Sequence, residues 1–470
     1  LFLETQVQVN FSSIFFLIFS LLLLMPDLSA EESKIIRTVR PPNNEPSVGS
    51  LDSLYTQNHL FFERSHLAGI PDLTPTDWRL EITGDAIERP MTLTFAQLTD
   101  KKTFAQVELA ALAVCSGNRR GLFDPKVPGV QWGHGALGNA LWKGVRLRDV
   151  LKLAGVKANA LEVILDGADV PVNPGTPDFI KSLPLSRALD DSTLIAYGMN
   201  GAPLPKAQGF PARIVVPGWT ATYWIKQIIK IEVSSKPHDG FWMKTAYRIP
   251  KGTFAATETE WPSQVTKTTA PVTKLIVNSL ITKPSSAIPV KKGQLVVVSG
   301  FAWDDGNGLE KVEVSIDEGN TWQRATLNKS KHKFSWQRFT LKTKAKKHGV
   351  IAARSKATSV SGETQPDKAI HNPAGYHHNA TSNGNLSSDD KSSSGELVAL
   401  PEGDGKDAVS SHCAQCHSLD YLEMHAKFLN YEGWKKVVTK MIEKYGAQIS
   451  KDDAAKISTY LGSKLSGPVP

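Results

Sequence analysis

A chain of 470 residues exceeds one ordinary domain, and with 41% hydrophobic and 21% charged residues most of it can bury cores. The formal net charge is +8, yet from Leu397 onward nine lysines offset nine acidic residues, so the basic surplus lies upstream. No arginine-rich tract or aromatic-basic pattern goes with it, which argues against a nucleic-acid partner and for a basic pocket that takes small anions. Cys115, Cys413 and Cys416 are too few for a disulfide framework, and each sits in a motif of its own.

In chain order, Phe11 to Leu24 comes first, an apolar run followed by a short polar stretch to Ala30. About 14 apolar residues suit a signal-peptide core better than a membrane span, so 1–30 is expected to be a signal peptide and the protein periplasmic. A permanent N-terminal anchor is the alternative. The chain starts at Leu1 rather than Met, so neither a complete start nor the export route is readable. Pro41 to Ser50 reads as an extended lead-in. A mixed α/β region follows, with strands expected at Leu161–Leu165, Ile214–Val216 and Ile228–Val233 and a helix at Val145–Leu153.

From Val272 to about Asn379 short β-rich runs at Leu295–Val298, Val312–Ile316 and Val350–Ala353 alternate with turns, the pattern of a β-sandwich. Asp304-Asp305-Gly306-Asn307-Gly308 is hairpin-turn chemistry and lacks EF-hand spacing. Thr381 to Glu396 is rich in Ser, Asn, Gly and Asp and is expected to be a flexible linker. Beyond it lies a mainly helical pattern.

Within that last segment stands Cys413-Ala414-Gln415-Cys416-His417, the C-x-x-C-H of a c-type haem site. Its two thiols would bond to the porphyrin and its imidazole would bind the iron. A zinc site would need two further ligands nearby. For the sixth position Met441 is preferred, on a helical face with Trp434, Val437, Val438 and Tyr445. The bland alternative is a core methionine. Met424 is the other candidate, though seven residues after His417 it has little chain with which to cross to the opposite haem face. The stretch Val437 to Ile449 resembles the methionine-ligand segment of small monohaem cytochromes c. A final helix is expected from Ser450, capped by its side chain, with Ile457 and Leu461 packing inward.

The most informative segment is Val114-Cys115-Ser116-Gly117-Asn118-Arg119-Arg120. Two guanidiniums beside a cysteine are expected to lower its thiol pKa and to attract anions. The segment resembles the C-x-G-N-R-R core of the sulfite oxidase family. Phe61-Phe62-Glu63-Arg64-Ser65-His66 resembles that family's F-F-x-R-N-H, with Ser65 in place of Asn. Gln131 to Ala140 resembles its W-x-x-G-A segment. Tyr197 to Pro205, Gly209-Phe210-Pro211-Ala212-Arg213 and Val216-Pro217-Gly218-Trp219 follow in the family's order, with Tyr247 at the position of its active-site tyrosine.

This resemblance implies a multidomain protein. It would comprise an α+β molybdopterin domain over 31–265, an Ig-like β-sandwich dimerisation domain over 266–380, the linker over 381–396 and an all-α cytochrome c domain over 397–470. It implies that Cys115 ligates molybdenum beside a pterin dithiolene, and a soft thiolate suits that. Arg64, His66, Arg213 and Lys226 would hold the pterin, while Arg64, Arg120, Trp132 and Tyr247 would line the pocket for sulfite or a similar oxyanion. Taken singly, each arginine is more simply a solvated charge, and Trp132 and Tyr247 are core packing. The implied activity is sulfite oxidation, with electrons passing through haem c to an external cytochrome c, in a homodimer.

Two departures qualify it. Gln208 stands where many members carry His. His371 and Ala374 replace a Trp and a substrate-pocket Arg, so either another base (Arg354, Lys356, His377 or His378) completes the anion pocket or the substrate is not sulfite. The rival readings are a same-fold reductase of an oxygenated nitrogen or sulfur compound, and an electron carrier whose molybdenum domain is inactive.

Overall fold

The computed structural model describes residues 34–466 apart from 68, 174–175, 255–260, 262–263, 384–399, 418 and 427–428. The side chains of residues 382, 383, 420, 423 and 424 also fall outside the description. The expected signal peptide (1–30), most of the expected linker and the Met424 side chain therefore lie outside the described residues.

The catalytic region is built on two five-stranded sheets. One runs Ala202–Pro203, Leu194–Met199, Leu137–Arg146 and Gln106–Val114, with Arg213–Val215 also paired to Leu194–Met199. The other runs Met91–Thr94, Arg79–Thr83, Ile228–Ser234, Glu162–Gly167 and Lys181–Pro184. All pairs in these two sheets are antiparallel except Arg79–Thr83 with Ile228–Ser234. Both sheets feed one large core that includes Trp78, Trp142, Trp224 and Ile231. Strand Gln106–Val114 turns fully buried from Ala110 onward, so it carries Cys115 from the core directly to the cleft.

The expected helix at Val145 starts two residues later, at Leu147–Ala154. Val145 and Arg146 are still held in the ladder opposite Ile195 and Leu194. The expected strands appear as Glu162–Gly167, Arg213–Val215 and Ile228–Ser234.

Pro41 to Ser50 is more than a lead-in. Ile35–Thr38, Asn43–Glu45 and Glu63–Arg64 form a three-stranded sheet that presents Arg64. Glu45 is 1% exposed and accepts the N–H groups of Gly133 and Gly135, each at 2.7 Å, as well as the Arg37 guanidinium. A buried carboxylate is tolerated only with such partners. It ties the N-terminal sheet to the segment that follows the cysteine motif.

The second region is a sandwich of two four-stranded sheets. Asn278–Lys283, Leu295–Trp303, Gln337–Lys344 and Thr326–Leu327 face Gln323–Arg324, Leu309–Ser315, Arg354–Ser359 and Ser382–Asn383 over a core of Val298, Val312, Phe339 and Ala357. Expected strands at Leu295 and Val312 are present. Of the expected run Val350–Ala353, Val350 and Ile351 lie in strand Gly349–Ile351, while Ala352 and Ala353 fall in the gap before strand Arg354–Ser359. Asp304 closes its turn on the N–H groups of Gly306 (3.0 Å) and Gly308 (2.5 Å), as hairpin chemistry requires. Ser382–Asn383 pairs with Ser355 and Arg354, so the sandwich runs past residue 380 into the stretch read as linker.

The C-terminal region holds helices Lys406–Cys413, Asp420–Ala426, Tyr431–Tyr445 and Lys451–Lys464. Ser450 caps the last one by accepting the Asp453 N–H, and Ile457 and Leu461 are buried as expected.

Glu45→Ala removes the acceptor of two buried amides and the carboxylate that pairs with Arg37. We expect it to cost about 3–5 kcal/mol, read as a lowered urea midpoint of the catalytic region.

Candidate active site

A cavity of about 790 Å³, part of it open to solvent, lies where the two catalytic sheets meet the N-terminal strands. Arg64, His66, Cys115, Arg213, Lys226 and Tyr247 all line it. Six of the residues singled out in sequence thus line one cavity.

The charges in this wall are unusual. Arg213 is 4% exposed and donates to the carbonyls of Gln208 (3.1 Å) and Trp224 (3.0 Å), while its charge rests over the ring of Trp142. Lys226 donates to Ala207 O at 3.0 Å and Ser65 Oγ at 3.3 Å. Burial pushes the Arg213 guanidinium down to about 9 and the Lys226 ammonium down to about 8. The hydrogen-bond partners of both cations are neutral oxygens; Asp169, itself pushed up to about 6 by burial, is the lone carboxylate among the described wall residues, and buried Glu63 also acts on Lys226 from outside the wall. Buried positive charge without matching negative charge is a site waiting for an anion. The phosphate of a pterin fits it.

Cys115 stands at the other end of the cavity. Burial pushes its thiol up, against the pull of Arg64, Arg120 and the Gly117 N–H. A free thiol there would stay protonated, whereas a bound metal would take it as thiolate. The donor set therefore fits molybdenum on Cys115 with its pterin on Arg64, Arg213 and Lys226.

His66 stacks on Phe179 with ring centres 3.5 Å apart and hydrogen-bonds to the Tyr247 hydroxyl. Burial, then Arg64, Lys226 and Lys181, hold His66 well below the usual imidazole range, so it is neutral. Tyr247 has a left-handed backbone, φ 57°, which a bulky aromatic residue adopts only where its surroundings enforce it. Burial raises its phenol, so it stays a donor.

Arg120 reaches the site from the side. It donates to Ala374 O (3.0 Å) and Val130 O (3.2 Å) and lies over the Tyr376 ring, which stacks on Tyr247. A Cβ at Gly117 would stand 2.6 Å from its Nη2 and one at Gly129 3.0 Å from its Cζ, so these two glycines form its slot.

Three sequence expectations need correction. Arg119 faces away from the cavity and donates to Asn278 Oδ1 (3.0 Å), Ser279 O (2.6 Å) and Ala380 O (3.3 Å), bonding the motif to the sandwich. Trp132 is 0% exposed in the core and does not line the cavity. None of the substitute bases completes the anion pocket. Arg354 is bound to Glu318 O and Thr381 Oγ1, and Lys356 to Asp367. His377 and His378 line a smaller cavity behind Cys115 and are pushed down to about 3 by burial. Gln208, the other departure, lines the main cavity and donates to Phe62 O at 2.9 Å.

The sequence reading missed Asp169, Phe179, Lys181 and Tyr376. Lys181 is 1% exposed over the rings of Tyr223 and Tyr247, and only tertiary packing reveals it.

In the C-terminal region Cys413 is the last residue of its helix, and Cys416 and His417 follow in the turn beyond. The local core is small: Leu400, Val409, Leu422, Trp434, Val438, Ile457, Tyr460 and Leu461. Trp434 Nε1 is buried with no hydrogen-bond partner among the described residues. An incomplete core with an orphaned donor fits a large prosthetic group with polar edges. Met441 is half-buried and outside the core cluster, whereas Ile442 packs against it, so the core-methionine alternative loses its support.

Two family models match the chain. The oxidoreductase molybdopterin binding domain covers residues 66–242 and the Mo-co oxidoreductase dimerisation domain covers 269–384, so neither reaches the C-terminal helices. The chain is similar to mitochondrial sulfite oxidase of Drosophila melanogaster, at 32% identity over 71% of this chain and 59% of that one. It is similar to sulfite oxidase of Gallus gallus at 32% identity over 71% and 72%, and to a nitrate reductase of Nicotiana tabacum at 30% over 72% and 40%. It thus spans about three-fifths of the length of the first of these relatives. Among solved structures, sulfane dehydrogenase SoxCD from Paracoccus pantotrophus superposes with a TM-score of 0.62, at 25% identity, over 76% of this chain and 86% of that one.

The lowered Lys226 value predicts a linkage. Between about pH 8 and its ordinary 10.5 the folded cofactor-free chain holds fewer protons at Lys226 than the unfolded chain. Its stability contribution is present above the unfolded value and lost as pH falls through 8. A bound anion reverses that, so the melting-temperature gap between loaded and cofactor-free protein should shrink from pH 7.5 to 10.

Proposed function

The chain belongs to the sulfite oxidase family of molybdenum-dependent oxidoreductases, and from that premise we propose that it oxidises sulfite to sulfate and sends the electrons through a fused c-type haem to an external cytochrome c. The observation that carries this reading is the meeting of Cys115 with Arg64, Arg213, Lys226 and Tyr247 in one cavity. The balance is one sulfite and one water giving one sulfate, two protons and two electrons. Bound at Cys115, the molybdenum cofactor would supply the oxygen-transfer and two-electron chemistry.

The residues of the chain do the rest. Arg213 and Lys226 hold the pterin phosphate. Arg64 and Arg120 flank the substrate position with positive charge, which favours a dianion there. Tyr247, fixed by His66, offers its hydroxyl proton as a hydrogen bond to a substrate oxygen. Trp132 supports this wall from within the core. Cys413 and Cys416 would carry the haem covalently, with His417 and Met441 as iron ligands. One haem takes one electron at a time, so it must be emptied between the two. The sandwich domain would pair two chains, and export to the periplasm, where c-type haem is attached, accords with the expected signal peptide.

A second reading keeps the site and changes the substrate. Ala374 offers only its carbonyl, which caps Arg120, where the family resemblance would put an arginine. The pocket is thus one cation short, which suits a less charged substrate.

Cys115→Ala should retain its haem spectrum and lose sulfite-dependent haem reduction by at least a hundredfold, followed at the haem α-band. Parent-level reduction in this variant would remove molybdenum from Cys115. Arg64→Met and Arg120→Met should each raise the apparent KM for sulfite about ten- to a hundredfold, as expected for one lost charge-assisted contact.

A further inference from the structure

The C-terminal region contacts several separate segments of the catalytic domain. Gly129 N–H donates to His425 Nε2 at 2.9 Å. Asn173 Nδ2 donates to Cys416 Sγ at 3.1 Å, and Thr176 Oγ1 to Tyr445 O at 2.6 Å. Phe241 meets the edge of the Tyr445 ring at 5.6 Å. Between these points Tyr421 packs against the catalytic core cluster that includes Tyr247 and Tyr376.

The first contact differs from the others in what lies behind it. Gly129 abuts the Arg120 guanidinium, and the next residue, Val130, accepts from that guanidinium through its carbonyl. Gly129 can take this position because its φ of 116° suits glycine. The loop therefore shows Arg120 one side of its backbone and His425 the other. On the helical side, the Tyr421 ring lies 6.1 Å from His425 and 5.0 Å from His417. Tyr421 and His425, four residues apart in helix Asp420–Ala426, share one face of it, and His417 lies in the chain before that helix, against the Tyr421 ring.

We propose that His425 is a positioning residue: by accepting the Gly129 N–H it latches the C-terminal domain against the Arg120 loop, with His417 turned toward the catalytic domain for electron transfer. This rests on the haem reading above. With both cofactors bound, each latched visit would let one electron pass from the molybdenum cofactor to the haem, and two visits would clear the two electrons of one sulfite. A single neutral hydrogen bond is weak enough to open between visits, changing the docked population by about three- to tenfold.

The test uses the full-length enzyme with both cofactors, as parent, His425→Leu, His425→Gln and Thr176→Val. Flash photolysis reads intramolecular electron transfer. Hydrogen–deuterium exchange reads the amides of 125–131. His425→Leu should slow transfer about three- to tenfold and speed exchange at Gly129. The glutamine amide oxygen can accept the same N–H, so His425→Gln should restore both to within about twofold. Thr176→Val, on the opposite side of the contact, should slow transfer similarly. The haem spectrum, haem potential and rate of metal reduction by sulfite should not change in any variant. Unchanged transfer and exchange in His425→Leu would overturn the latch, as would a shifted haem potential, which would place His425 in the haem pocket instead. A parent protein whose haem sulfite cannot reduce would overturn the functional reading, while the exchange measurement would still report on the latch.

Discussion

Buried positive charge with too little negative charge to match it is the constraint on which the rest of this structure depends. Arg213 and Lys226 are held inside the cavity by carbonyl and hydroxyl oxygens, and their lowered pKa values record the cost of keeping them charged there. Replacing such cations by apolar side chains is often neutral or stabilising. Their presence makes physical sense when an anion completes the site. The same logic reaches Cys115, whose thiol is pushed up by burial and needs a metal to ionise.

Much of the surrounding architecture serves to hold that charge in place. The N-terminal sheet delivers Arg64, and buried Glu45 fastens it to the backbone of Gly133 and Gly135. Arg119 and Arg120 are neighbours with opposite tasks. The left-handed backbone of Arg119 (φ 64°) sends its side chain into the sandwich, which leaves Arg120 in its glycine slot beside the cavity. The sandwich is therefore bonded through the metal-site motif itself. A disturbance at Asn278 or Ser279 would reach the cleft by one guanidinium.

What was legible in the sequence follows from locality. Cys115, Arg64, Arg213 and the C-x-x-C-H group lie in compact motifs whose spacing carries their chemistry, and the alternation of short strands and turns marked the sandwich. Two kinds of feature were not legible. Direction was one: adjacent arginines look equivalent until the backbone at Arg119 is known, and Trp132 looks like a pocket residue until its burial in the core is seen. Long-range partnership was the other. Lys181 beneath Tyr247 and His425 on Gly129 are joined across 66 and 296 residues of chain, and nothing local announces either pair. Glu45 belongs to the same class, a single acidic residue in a polar stretch that gives no local sign of burial.

The two halves of the account rest on different evidence. The catalytic half stands on family membership together with a cavity whose donors suit the cofactor. The haem half is a proposal that stands on the C-x-x-C-H motif and the small core around Trp434. The central claim is that the cation-lined cavity exists to hold a molybdenum-bearing anionic pterin. It is tested most directly by measuring molybdenum and phosphorylated pterin per chain in protein purified from cells that make the cofactor. The account predicts one of each per chain, with both lost on unfolding. Folded protein carrying its full haem complement but neither molybdenum nor pterin would contradict it.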